Sequence, residues 1–406
     1  MRLDWESVIE AARRAHAEAS GSLCAYLYDL PALALHAAQL RDGLPQNCDF
    51  FYAVKANSDA PLLATLAPYV DGFEASSGGE IAWLRQHFPQ TPVIFSGPGK
   101  SDTELELALQ HDVTVHVESL YELERLAALA REGGKPVSLL LRVNPPLPDL
   151  ANTSLVMGGK PTQFGIAIEH LPACLERLRR EPALELRGFH FHLLSHQLDA
   201  DKHLQLLSVY LRQTRRWCAE YGLQIEHINV GGGIGVNYRA PQQQFDWPRF
   251  AAGLVRLLSE EALAGHLPRL RFEFGRFVSA FCGYYATEVL DIKEAGNRAF
   301  AIVCGGTHHF RTPYAQGHSH PFRVVPVETW ARPYSRPAIT NRPVTIAGQL
   351  CTPKDVLASD VMVDHLQVGD LLLFPYAGAY AWHISHHDFL RHPHPQHLYL
   401  QQDAQV

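Results

Sequence analysis

The sequence predicts an α/β chain in two parts, a closed (β/α)8 TIM-type barrel over residues 30–276 and an all-β domain made from 277–406 together with 1–29. Three observations lead there. From about residue 49, apolar runs alternate with amphipathic helical patterns, which implies a parallel sheet, and eight such units in about 230 residues fit a closed barrel. Polar groups recur at one end of run after run: Lys55, Glu74, Ser96, Glu118, Arg142, His192, the glycines at 231–235, and Glu273. Barrels collect their chemistry at the C-terminal strand ends, whereas an open doubly wound sheet concentrates it at one switch point. After residue 276 the alternation stops, and the remainder is strand-rich and proline-rich.

Taken in order, Met1 to Glu6 reads as the acidic–basic start of an amphipathic helix over 5–19, without the apolar core of a signal peptide. Residues 24–29 form a strand that can join the later β domain, and Pro31 opens the next helix. Barrel strands are expected at 49–54, 71–75, 92–96, 113–117, 137–143, 186–192, 226–230 and 270–274. Helices between them are expected at 60–67, 78–87, 101–110, 119–131, 167–180, 200–221 and 248–263. Ser101 and Glu104 form a capping box. The later strands are expected at 283–293, 299–304, 322–328, 343–349, 369–374 and 395–401.

With 47% hydrophobic and 19% charged residues, the 406-residue chain has ample core material. A formal charge of -7 gives no sign of nucleic acid or an anionic membrane as partner. No apolar run is long enough to span a membrane. Seven scattered cysteines without a CxxC pair favour a reducing, cytoplasmic setting.

Lys55 closes the apolar run Phe51-Tyr52-Ala53-Val54. A lysine there either snorkels to solvent or serves as a desolvated amine that attacks a carbonyl. The run Gly231-Gly232-Gly233-Ile234-Gly235 follows the seventh strand, where barrels commonly bind phosphate; a plain turn is the alternative. Glu273, in Glu273-Phe274-Gly275-Arg276, needs a partner if buried: a protonated pyridine nitrogen or an internal arginine. By strand alternation His190, His192 and Leu194 share a face, from which an imidazole can cover a flat ring, with Ser195 placed for a phosphate. His383, His386 and His387 read as a solvated or interface cluster rather than a metal site, and no metal is expected. A lysine amine, a phosphate cradle, a glutamate for a ring nitrogen and a histidine for a ring face have one common explanation, pyridoxal 5′-phosphate (PLP).

The chain resembles the fold-type III PLP-dependent decarboxylases, the group of diaminopimelate, ornithine and arginine decarboxylases. The resemblance runs through Phe51 to Asn57, Gly72 to Glu80, Gly188 to His192, Asn229 to Gly235, Glu273 to Arg276, Cys351, and Ala377 to Tyr380. It implies an alanine-racemase-like barrel with a β domain, and a homodimer that builds each active site from two subunits. It implies that Lys55 carries PLP as a Schiff base and that His192 stacks on the ring. Ser195, Gly235, Arg276 and Tyr380 would hold the phosphate, with backbone help around Gly233 and from Gly275. Glu273 would pair with the pyridine nitrogen, and Glu74, Glu80 and Arg142 would support the lysine. Cys351 of the partner subunit would protonate the α-carbon. A glutamate at the ring nitrogen suits decarboxylation, because a protonated ring is the better electron sink; the racemase group places an arginine there.

The departures concern the substrate. The family usually has an acid after its cysteine, where this chain has Thr352, and Tyr376 replaces another acid. Phe274 stands for a usual proline and Leu194 for a usual glycine. The substrate loop reads Gly305-Gly306-Thr307-His308-His309-Phe310-Arg311. Loss of acid and gain of basic or neutral groups suits a substrate tail with carboxylates. The pattern is similar to decarboxylases of carboxylate siderophore assembly, acting on a citrate-linked amino acid such as citryl-diaminopropionate. Arg311, Thr352, His308 and His309 are the expected substrate contacts. The alternatives are a diaminopimelate decarboxylase of lysine biosynthesis and a non-catalytic regulatory homologue.

Overall fold

Helix starts in the first part of the chain are written by short polar side chains. Ser77, Ser101 and Ser119 each accept a hydrogen bond from a backbone N–H of the first turn they precede, and Ser101 completes its box with Glu104. Each of these helices follows a buried apolar strand and returns the chain to the next one. The computed structural model describes residues 5–145, 155–156, 162–263, 265 and 267–401, so Met1 to Asp4, which lead into the expected helix, lie outside it. The expected strand at 24–29 is β1 (Cys24–Asp29). The barrel strands are β2 (Cys48–Ala53), β3 (Gly72–Ala75), β4 (Val93–Phe95), β5 (Thr114–Val117), β6 (Val137–Asn144), β7 (Leu184–His190), β8 (His227–Gly231) and β9 (Arg269–Phe274). They pair in the order β5-β4-β3-β2-β9-β8-β7-β6, and β5 also pairs β6, which closes an eight-stranded parallel barrel.

Register brings the chemistry together. Ala53 lies beside Glu74, and Phe51 beside Glu273, so the residues just past β2 emerge between two acids. Lys55 itself sits in a single 3-10 turn, Val54–Ala56, one step beyond the strand. The sixth expected strand, 186–192, is observed at 184–190. His192 therefore lies past the strand, and the shared-face argument stops at His190.

The second sheet is organised on β10 (Gly283–Ala295) and continues with β11 (Arg298–Val303), β12 (Arg323–Val325), β13 (Ala338–Ala347), β14 (Val356–Gln367), β15 (Leu371–Phe374) and β16 (Gln396–Leu400). β1 pairs antiparallel with β10 and parallel with β16, so the N-terminal strand belongs to this sheet. β14 was not expected. It carries outward acids, and Asp360 at φ 51 interrupts its alternation. The strand expected at 322–328 is cut to three residues before Pro326, which has no N–H to give a ladder.

The segment that leaves the barrel after Arg276 makes a close backbone contact with the loop after β15. Ala377 N–H donates to Gly283 O (2.8 Å) and Gly378 N–H to Ala280 O (3.1 Å). A Cβ on Gly378 would fall 1.9 Å from the Ser279 carbonyl oxygen. Gly378→Ala is therefore expected to cost on the order of 1–3 kcal/mol, read as a lower denaturation midpoint; an unchanged midpoint would show that this contact is not a constraint.

Candidate active site

Lys55 Nζ donates to both Glu74 carboxylate oxygens (2.9 and 2.7 Å) and to Ser76 Oγ (3.2 Å). Burial disfavours the ammonium, but the Glu74 carboxylate, with Tyr380 and Glu273, outweighs it and raises Lys55. Burial in turn pushes the fully enclosed Glu74 up, to about 7, against the pull of Lys55. Ser76 Oγ donates to Glu74 (3.0 Å) and Ser76 N–H to Glu80 (2.6 Å). Glu80 thus supports the lysine at one remove.

This lysine lines a cavity of about 420 Å³ at the C-terminal end of the barrel, with Glu74, Ser96, Arg142, His190, His192, Ser195, Gly233, Glu273, Gly275, Arg276 and Tyr380. At its floor Asn229 Nδ2 donates to Glu273 Oε1 (2.8 Å), while Oε2 has His190 Nε2 at 3.5 Å. His116 Nδ1 stands 3.6 Å from Oε1 and is engaged by Ser96 Oγ at 2.8 Å. Burial lowers both imidazoles well below their usual range, so they are neutral neighbours and not counter-ions. No lysine or arginine pairs with Glu273 among the described residues; Arg276 instead donates to Tyr238 Oη (2.8 Å). The three side chains also stand within 4.8 Å of one another, a spacing that suits a cation in general.

The opposite end of the cavity suits an anion. The Arg276 guanidinium lies 4.5 Å over the Tyr380 ring. Tyr380 holds a left-handed backbone, φ 49, fastened by Tyr380 N–H to Ala56 O (2.8 Å) and Thr312 Oγ1 to Tyr380 O (2.7 Å). The chain keeps its backbone bare here. A Cβ on Gly233 would meet Leu194 O at 2.6 Å, and one on Gly275 would lie 3.3 Å from Tyr380 Oη. Gly235 departs from expectation. Its N–H is committed to Gln197 O (2.9 Å), so it has no hydrogen to give a phosphate. His192 is lowered to about 3, chiefly by burial and then by Arg142, which leaves a neutral ring able to lie against a flat cofactor.

Arg142 does not reach Lys55. It pairs with Glu118 (2.7 Å), a residue placed at a strand end by the sequence but given no role. Glu118 also accepts from Gly97 N–H (2.9 Å) and Gly165 N–H (3.0 Å), and so ties two loops at the cavity wall to Arg142. Ser76, His116 and Asn229 likewise had no role from the sequence; Asn229 opens the Asn229 to Gly235 stretch of the resemblance, and that was its available signal.

The expected substrate residues lie outside this cavity. Cys351 is exposed and Thr352 is half-buried beside it. Arg311 contacts His386 and lies over the Tyr314 ring at 5.2 Å. His308 and His309 depart from the expected placement: at 0% and 1% exposure both rings are enclosed within this chain and neither lines the cavity. The late histidines disperse: His383 goes to Asp59 (3.2 Å), and His387 to Trp382 O (2.6 Å).

Residues 32–280 match the family model of the pyridoxal binding domain of pyridoxal-dependent decarboxylases. The chain belongs to that family. It is 43% identical, over 94% of its length and 95% of the relative, to the 2-[(L-alanin-3-ylcarbamoyl)methyl]-2-hydroxybutanedioate decarboxylase of Staphylococcus aureus. It is 33% identical to the L-glutamyl-[BtrI acyl-carrier protein] decarboxylase of Niallia circulans, over 91% and 87% of the two chains. Among solved structures it is similar to diaminopimelate decarboxylase from Helicobacter pylori complexed with L-lysine, with TM-score 0.81, 25% identity, and 95% and 93% coverage. The protein is a PLP-dependent decarboxylase with a TIM barrel and a β domain. The cavity fits that cofactor: an amine on one wall, an uncompensated carboxylate at the floor, and an arginine beside glycines that a Cβ would crowd.

Glu74→Gln removes the anion that raises Lys55. The pH midpoint for acylation of Lys55 by an amine-directed reagent, in cofactor-free protein, is expected to fall by about one to three units. An unchanged midpoint would mean that Glu74 does not control the amine.

Proposed function

We propose that the protein removes the α-carboxyl group of a citrate-linked amino acid of the citryl-diaminopropionate type, a reaction of carboxylate siderophore biosynthesis. The observation that carries this reading is the 43% identity, along nearly the whole of both chains, to an S. aureus enzyme named for that substrate. Thr352 supports it, since a neutral residue beside Cys351 offers no charge to a distal ammonium. Arg311 is the basic group at hand for a substrate carboxylate.

The geometry of the cavity supports the following roles. Lys55 is the amine that holds the cofactor, kept in place by Glu74 and Ser76. Glu273, oriented by Asn229, would accept a hydrogen bond from the protonated ring nitrogen and so keep its positive charge at the floor. His192 covers one ring face. Ser195, Arg276 and Tyr380 bind the phosphate, with the backbone at Gly233 and Gly275 leaving it room. When bound, PLP supplies the electron sink that takes up the electrons released with carbon dioxide. Cys351 delivers a proton to the α-carbon, and because it is exposed and outside its own cavity, it acts in the site of a second copy. The working form is thus a homodimer with shared sites, and a fully active monomer in sedimentation would contradict this. The division into a barrel of 30–276 and a β domain of 1–29 with 277–406 belongs to the same proposal. So does a cytoplasmic location, which fractionation would test; among the described residues no helix is long and apolar enough to cross a membrane.

The test is steady-state kinetics with citryl-diaminopropionate and meso-diaminopimelate on the same preparation. The expected result is a kcat/KM at least about 100-fold higher for the citryl substrate, a difference near 2.7 kcal/mol in transition-state binding. Clear preference for the diamine would sink the substrate. Lys55→Ala is expected to abolish both activity and the absorbance band of bound PLP.

A further inference from the structure

Two cysteines outside the active-site machinery meet at a seam in the second sheet. β1 pairs with the first half of β10, Cys24 opposite Thr287, and β11 with the second half, Val303 opposite Val289. Glu288 stands between them. Its N–H donates to Leu23 O (3.0 Å), and its carbonyl accepts from Cys304 N–H (2.9 Å). In an antiparallel ladder the N–H and C=O of one residue point to the same side. The start of β1 and the end of β11 therefore abut on one side of β10. Side chains agree with the backbone: Cys304 Sγ lies 3.7 Å from Ser22 O, and a Cβ on Gly305 would fall 2.9 Å from Cys24 Sγ.

We propose that Cys24 and Cys304 are an oxidation site that closes reversibly into a disulfide and acts on the loop following Cys304. Both are partly accessible, unlike the buried Cys48, Cys174 and Cys282. A hydrogen bond from Cys24 lowers the Cys304 thiol, while burial, and then Cys304, raises Cys24 well above its usual range. A more acidic thiol beside a less acidic one is the arrangement of an attacking and a resolving cysteine. Cys24 Sγ is oriented by Tyr285 Oη (3.1 Å) and His309 Nδ1 (3.3 Å).

The oxidant is a hydroperoxide. Cys304 sulfur attacks one peroxide oxygen and breaks the O–O bond, giving a sulfenic acid and one water in the case of hydrogen peroxide. Cys24 sulfur then attacks Cys304 sulfur and displaces the hydroxyl, which leaves as a second water with the Cys24 proton. Two thiols lose two electrons, and one peroxide gains them. A dithiol reductant reverses the bond.

The bond bears on function through the loop it pulls. Gly305 N–H donates to Gln349 Oε1 (2.7 Å) and Gln349 N–H to Gly305 O (2.8 Å). Thr307 N–H and Leu350 N–H share the Asp355 carboxylate, at 2.6 and 2.8 Å. The residues after Cys304 are thereby stitched to the segment that carries Cys351.

The experiment treats holoenzyme with one equivalent of hydrogen peroxide, alkylates free thiols, and maps the peptides by mass spectrometry. A Cys24–Cys304 linked pair that disappears with dithiothreitol is expected. Cys24→Ser should instead leave a sulfenic acid on Cys304, trapped by dimedone. Recovery of both residues alkylated, with oxidation confined to Cys351, would overturn the site, as would a link from Cys304 to any other cysteine. Hydrogen exchange at Gly305 to Thr307 and Gln349 to Leu350 should differ between cross-linked and reduced protein; identical exchange would overturn the action on the loop.

Discussion

A carboxylate at the floor of the barrel, Glu273, sets the terms for the rest of this structure. It is 5% exposed and has no lysine or arginine partner among the described residues. A buried charge without a counter-ion is costly, and breaking or omitting its partner is among the larger penalties a fold can carry. Among the described residues its hydrogen-bonding and nearest side-chain neighbours are dipoles, the Asn229 amide and the neutral rings of His116 and His190. The barrel is thus built to receive a positive group from outside itself, and PLP, whose ring nitrogen can carry a proton, is such a group.

The other wall of the cavity obeys the opposite rule. Lys55 is matched inside the chain by Glu74, so the amine is charged and oriented before any cofactor arrives. Strand register makes this contrast possible, since β2 lies between β3 and β9, and Lys55 emerges just past it between the two acids. The end of the cavity around Arg276 depends on a third constraint, close backbone approach. Bare backbone at Gly233 and Gly275, and the left-handed conformation of Tyr380, bring Arg276 and Tyr380 together, and the Gly378 contact with Ser279 connects that end to the second sheet.

Much of this was legible in the sequence because barrel strands end where chemistry begins. Lys55, Glu74, Arg142 and Glu273 were readable as polar ends of apolar runs, and Ser101 with Glu104 located the start of one helix. What was not legible depended on partners chosen in three dimensions. Arg142 reads as a neighbour of Lys55 but pairs with Glu118, because the strands β5 and β6 that carry them are adjacent. Gly235 reads as part of a phosphate loop, yet its N–H is taken by Gln197 in a bridge that no local pattern announces. His308 and His309 look like ligands for carboxylates in a one-dimensional chain, and packing encloses them. β14 was hidden because its outward acids and the turn of backbone at Asp360 break the alternation that marks a strand.

The central claim, that Glu273 holds the cofactor's ring nitrogen in its protonated form, is tested most directly by nitrogen NMR of holoenzyme loaded with PLP labelled at that nitrogen. The account predicts a protonated nitrogen signal at neutral pH that shifts to the unprotonated position in Glu273→Gln. An unprotonated nitrogen in the unaltered enzyme, or a signal indifferent to that substitution, would contradict it.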